Sequence, residues 1–195
     1  EIETDEEAPR PVLLAEYRVP DHLIESLDLD VDLDEAGATV TARLKGRRNP
    51  EADSTDAPLY LDGQDQELLE VILDGRTLNA DDYVLGAESL AIPGLDGAFD
   101  LTIKSRNNPA ENTALEGLYL SNGMYCTQCE AEGFRRITYF PDRPDVMTVY
   151  TTRIQADKAA YPVLLSNGNL VETGDLDGGG HFAKWHDPFP KPSYL

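Results

Sequence analysis

Apolar and polar residues alternate with a period of two from Leu27 onward: Leu27, Leu29, Val31 and Leu33 are separated by Asp28, Asp30, Asp32 and Asp34. That period places one set of side chains on each face of a strand, so the leucine face is predicted to pack inward and the aspartate face to meet water. Strands are predicted to begin near Tyr17. Glu35-Ala36-Gly37 turns the chain back into a second alternating run, Ala38 to Lys45, which carries Val40 and Leu44. Shorter strands are predicted at Pro58–Leu61, Leu68–Leu73, Tyr83–Leu85, Ser89–Ile92 and Phe99–Ser105, punctuated by Asp74-Gly75, Gly86 and Pro93-Gly94.

The same reading continues through the second half. Leu118–Leu120 and Met124–Gln128 flank Ser121-Asn122-Gly123 as a hairpin. The β-branched run Val146–Ala156 is predicted to be the longest strand, followed by Tyr161–Leu165 and Asn169–Thr173 about an Asn167-Gly168 turn, and a last strand at Phe182–Asp187. Trp185 is expected in the core, because large aromatics bury well where sheets pack. No long amphipathic helix interrupts the series. The predicted fold class is therefore all-β, with twisted antiparallel sheets forming a saddle, sandwich or barrel.

Composition narrows the picture. With 41% hydrophobic and 27% charged residues among 195, the chain has globular proportions and suits one domain, expected over residues 11–195. The first ten residues, EIETDEEAPR, carry little to bury and are expected to be disordered. They also lack the basic and apolar regions of a secretory signal, and no run of about 18 apolar residues could cross a membrane as a helix. A cytoplasmic location is the expectation. The net charge of −21 repels phosphate backbones and anionic lipid, so neither nucleic acid nor a membrane is an expected partner. It permits an adaptation to saline surroundings without establishing one. The start without Met and the apolar ending PFPKPSYL are both expected of a piece of a longer chain.

Most candidate chemistry fails on spacing. An EF-hand loop opening at Asp28 would need Gly sixth and Glu twelfth, where Leu33 and Thr39 stand. Cys126 and Cys129 form a single C-x-x-C, too few ligands for structural zinc and outside the strand-to-helix setting of a redox motif; they read as two reduced thiols. His22, His181 and His186 lie in no H-E-x-x-H, and His181 and His186, an odd number apart on a predicted strand, point to opposite faces. The Asp177-Gly178-Gly179-Gly180 run has no phosphate-loop context. No G-x-S-x-G elbow occurs.

What remains is Gly117 to Asp145, GLYLSNGMYCTQCEAEGFRRITYFPDRPD. Here Glu130 and Glu132 fall on irregular backbone just past a strand end, and Pro141 and Pro144 keep the following segment irregular. Read from the residues alone, the two carboxylates either pair with Arg135 and Arg136 on the surface or face a partner. This stretch also resembles a known family. Asn112 to Pro144 (NTALEGLY, then CTQCEAEGFRRITYFPDRPDV), Ala156 to Asn169 (ADKAAYPVLLSNGN) and Trp185 to Leu195 (WHDPFPKPSYL) resemble, in the same order, the N-terminal domain of bacterial members of the aminopeptidase N (alanyl aminopeptidase) family of zinc metallopeptidases.

The resemblance implies that Gln128 and Glu130 face the active site of a separate catalytic domain, and that Glu130 receives the free α-amino group of a peptide substrate. It leaves the role of Glu132 open. It further implies that zinc belongs to the catalytic domain of the parent enzyme and not to this chain, that this chain packs on that domain, and that alone it is inactive. The alternative is a stand-alone acidic β-sandwich binding carbohydrate or protein.

Overall fold

The computed structural model describes residues 13–34 and 36–195; the expected disordered extension over residues 1–10, and Glu35 in the first turn, lie outside the described residues. The alternating aspartate and leucine residues form β1 (His22–Asp34), paired antiparallel with β2 (Gly37–Arg48) from His22 opposite Arg48 to Asp34 opposite Gly37. Leu27, Leu29 and Val31 are buried while Asp28 and Asp32 face water. A register shift between Ile24 and Ser26 acts as a bulge, letting Ile24 face the core although its parity is opposite to that of Leu27.

The remaining strands are β3 (Leu59–Asp62), β4 (Glu67–Leu73), β5 (Arg76–Thr77), β6 (Val84–Leu85), β7 (Ser89–Ile92), β8 (Ala98–Asn107), β9 (Gly117–Ser121), β10 (Met124–Gln128), β11 (Thr148–Asp157), β12 (Asn169–Asp175) and β13 (Gly180–Lys191). Eight of the thirteen form one sheet in the order β12-β13-β11-β1-β2-β8-β4-β5; β3, β7 and β6 form a second, and β9 with β10 a hairpin. Pairing is antiparallel except for β1 beside β11. Among the described residues the helices are single 3-10 turns of three residues, so the fold is all-β.

Leu27, Val40, Leu44, Leu101 and Ile103 of the large sheet share one apolar cluster with Leu59, Leu61, Leu90 and Ile92 of the small sheet and with Phe134, Phe140 and Val146. A smaller cluster of Ala156, Leu164 and Ala183 lies by the β11–β13 edge.

Several predicted elements differ. The longest strand is β1, with 13 residues against 10 for β11. β-branched content marks propensity, but pairing along both neighbours sets length. Val146 is fully buried outside any strand, its N–H bonded to the Arg143 carbonyl. Strands begin at His22 and not Tyr17; Leu14–Glu16 is a 3-10 turn, and the Tyr17 hydroxyl bonds Asp145.

Tyr161–Leu165 is not a strand. Pro162 cannot donate to a ladder, and the segment instead lies over β13, where its Leu164 carbonyl accepts the Trp185 indole N–H at 3.2 Å. Trp185 is accordingly half-buried at the margin of the smaller cluster, where the sequence reading expects a core residue.

Candidate functional site

β9 and β10 are joined by Asn122 and Gly123, with φ of 50° and 77°. Two successive left-handed residues make the tight turn whose twist suits a two-residue hairpin. The register runs from Met124 opposite Ser121 to Gln128 opposite Gly117. Past Gln128 the chain leaves the ladder into a turn over 130–133, closed by the Gly133 N–H on the Cys129 carbonyl at 3.0 Å, and then a 3-10 turn, Phe134–Arg136. The Glu130–Ala131 peptide bond is cis.

Two glycines make this path possible. A β-carbon on Gly133 would stand 2.4 Å from the Gln128 carbonyl oxygen and 3.0 Å from the Gly117 nitrogen; one on Gly117, where φ is +70°, would stand 2.5 Å from the Arg136 β-carbon. The end of the hairpin and the start of the 3-10 turn therefore touch backbone to backbone.

Gln128 and Glu130 are both exposed. The surface ion pairs expected as one reading of Glu130 and Glu132 divide unevenly. Glu132, 72% exposed, lies 3.5 Å from the Arg135 guanidinium. Arg136 pairs with Asp65 and Glu116 instead. Among the described residues the Glu130 side chain has no hydrogen-bond or ion-pair partner, although two arginines stand five and six positions on.

Beneath the turn the polar groups are tightly committed. Asp142 accepts from the Arg135 N–H at 3.2 Å and the Arg135 Nε at 3.0 Å, and from the Ser193 hydroxyl. The Asp142 N–H donates to Asp62 at 3.1 Å, and the Arg135 carbonyl accepts from the Gln64 N–H and the Gln66 amide. Burial is the largest influence on Asp62 and holds its carboxyl above the usual range, with nearby Arg135 opposing the shift. Sequence reasoning missed Asp142, Asp62 and Ser193; the one signal was an acid seven residues beyond Arg135 between two prolines.

Cys126 and Cys129 are both free thiols. Burial pushes the Cys129 thiol up to about 12, so it stays protonated and poorly nucleophilic. Of the histidines, the ring Nε2 of His22 lies 3.1 Å from the Leu95 carbonyl, His181 bonds the Tyr161 carbonyl and His186 the Thr151 hydroxyl. Among the described residues no group of three or more His, Cys, Asp or Glu could hold a metal ion. Beside the hairpin lies a groove of about 420 Å³, lined by Leu118, Tyr125 and Ile154 and rimmed by the exposed Met124, Val163 and Leu165.

Comparison with known proteins identifies relatives of the whole arrangement. The chain is 50% identical over 189 residues to aminopeptidase N of Caulobacter vibrioides, which covers 97% of this chain and 21% of the relative. It is 49% identical over 180 residues to aminopeptidase N of Escherichia coli, covering 92% and 20%. Thus it spans about a fifth of the length of the relatives it matches. A crystal structure of Legionella pneumophila aminopeptidase A in complex with aspartic acid matches with a TM-score of 0.89 at 38% identity, over 93% of this chain and 21% of that one. An M1 zinc metallopeptidase from Deinococcus radiodurans, at 14% identity, shares the fold over 91% of this chain and 41% of its own with a TM-score of 0.75. The model of the peptidase M1 N-terminal domain matches residues 27–195, and the chain belongs to that family.

Proposed function

We propose that this chain is the substrate-capping N-terminal domain of a zinc metallo-aminopeptidase, which removes residues from the free amino end of peptides. In this reading Glu130 receives the substrate α-ammonium and Gln128 stands beside it, while the bond-breaking groups lie on a catalytic domain elsewhere in the parent protein. The observation that carries it is the state of Glu130. It is an exposed carboxylate on a turn fixed from both sides, with no partner among the described residues while neighbouring acids are paired. Such a group is available to a cation, and in a cleft closed off by a second domain its attraction exceeds what it would be in water.

The histidines, each engaged with a carbonyl or hydroxyl, do not fit a zinc site, so zinc is assigned to the parent and no step of its chemistry to this chain. Alone, the chain is inactive in this reading. The exposed Met124, Val163 and Leu165 beside the hairpin support packing against that catalytic domain. The unjoined thiols support a cytoplasmic setting.

The test is Glu130→Gln in the full-length protein. It keeps the shape and removes the charge, so kcat/KM for peptides with a free amino end is expected to fall about 30- to 150-fold, equivalent to about 2–3 kcal/mol. KM rises with it. Unaltered kinetics would remove Glu130 from the site.

A further inference from the structure

Asp142 has a side chain only 1% exposed, in a chain whose acids otherwise crowd the surface. Taking a carboxylate out of water costs several kcal/mol unless it is paired and hydrogen-bonded, and an apolar residue would fill the space without that cost. Here the carboxylate joins two distant pieces of chain. Its Oδ2 takes the backbone N–H and the Nε of Arg135, on the 3-10 turn that follows Glu130. Its Oδ1 takes the hydroxyl of Ser193, itself buried in the segment after β13. The Asp142 carbonyl accepts a further bond from Arg135 Nη2 at 3.2 Å.

We propose that Asp142 is a positioning residue for recognition of the substrate amino end: by gripping Arg135 and Ser193 together, it sets where Glu130 stands. This rests on the reading of Glu130 above. The mechanical link is short. Arg135 is five residues past Glu130, and between them Gly133 is wedged against the Gln128 carbonyl, so a displaced 3-10 turn carries the 130–133 turn with it. A charge-assisted hydrogen bond is satisfied only over a few tenths of an ångström, so such a displacement weakens capture of an ammonium.

The experiment uses the full-length protein with Asp142→Asn, which keeps the volume but removes the charge and turns one of the two accepting oxygens into an amide donor, and Ser193→Ala, which removes one donor. Each is made alone and with Glu130→Gln, and kcat, KM for a free-amino peptide amide and Tm are measured. Asp142→Asn is expected to raise KM about tenfold and Ser193→Ala about threefold, with kcat changed less than either, and both effects are expected to shrink to within about twofold once Glu130 is Gln. A loss of folded enzyme alone would lower kcat and leave KM as it was, so that pattern overturns the proposal. So does a full multiplicative effect on the Glu130→Gln background. If Asp142→Asn fails to fold, the Ser193→Ala pair decides by the same criteria. Unaltered KM in Glu130→Gln itself would overturn the amino-end reading and this proposal with it, whereas a raised KM there with independent Asp142 effects overturns positioning alone.

Discussion

Gly117 and Gly133 face one another where the hairpin ends, but each is required for a different reason. Gly133 has φ −82°, which any residue adopts, so a side chain there is excluded by close backbone contacts alone, the nearest being the Gln128 carbonyl oxygen 2.4 Å from the would-be β-carbon. Gly117 has both the close contact and a left-handed φ of +70°. Gly123 has the left-handed φ of +77° but open space around it. Denaturant unfolding of the three Gly→Ala variants should separate these effects. Gly123→Ala is expected to cost about 1 kcal/mol through conformation alone, Gly133→Ala about 1–3 kcal/mol through overpacking against backbone, and Gly117→Ala the most, since both penalties apply. Equal losses at Gly123 and Gly133 would mean that the backbone contact is not tight. The comparison bears on the proposed site, because Gly133 lies between Glu130 and Arg135, whose Nε donates to Asp142.

At the scale of elements, β1 shows how a strand end can depend on pH. His22 opens the strand, buried, with its ring edge against Phe99 at 6.0 Å, Nε2 3.1 Å from the Leu95 carbonyl and Arg48 close by. Burial lowers its pKa below the ordinary value of 6.5, the Leu95 bond opposes the shift, and Arg48 adds to it. The unfolded chain therefore takes up a proton at a higher pH than the folded one. Stability contributed by neutral His22 is complete above about pH 6.5 and is lost as pH falls from there through the lower folded value. Unfolding free energies of the wild type and His22→Gln, measured between pH 7.5 and 5, should converge or cross on acidification; a constant difference would contradict the shift.

His22 was not legible from spacing, which showed only that it lay outside any metal motif. The strands themselves were largely legible, because alternation such as Leu27 to Leu33 reports directly which face is buried. Tyr161–Leu165 was not, since an apolar run with a proline is decided by what it packs on, here Trp185. The same holds within the site. Glu130 was a candidate from the sequence because it follows a readable hairpin in a recognisable run, whereas Asp142 and Ser193 meet across 51 positions through tertiary contact alone.

Over the whole molecule, 37 acidic residues stand against 16 basic ones, and many of the basic ones are already committed. Arg106 holds Asp34, Arg143 holds Asp145 and Arg153 holds Asp30, while Asp28 and Asp32, exposed on the outer face of β1, are in no close ion pair among the described residues, with only Arg43 opposite Asp28 in the register and the field of Arg106 near Asp32. Contact pairs of this kind act over a few ångströms and, where exposed, contribute little. The surplus negative charge acts over the screening length, which falls from about 30 Å at 0.01 M salt to about 3 Å at 1 M. Repulsion should therefore dominate the salt response. Raising NaCl from about 0.01 to 0.5 M is expected to increase Tm by about 2–8 °C, the shift that about 1–2 kcal/mol produces in a chain of this size. A fall in Tm would mean instead that the arginine pairs carry the electrostatic stability. On the proposal that Glu130 receives a peptide ammonium, the same field attracts that cation from a distance, so in the full-length protein salt should raise KM for free-amino peptides more steeply than for neutral amino-blocked ligands measured by binding. Stability and capture thus respond to salt in opposite directions, which separates the long-range charge of the domain from the short-range contact at its site.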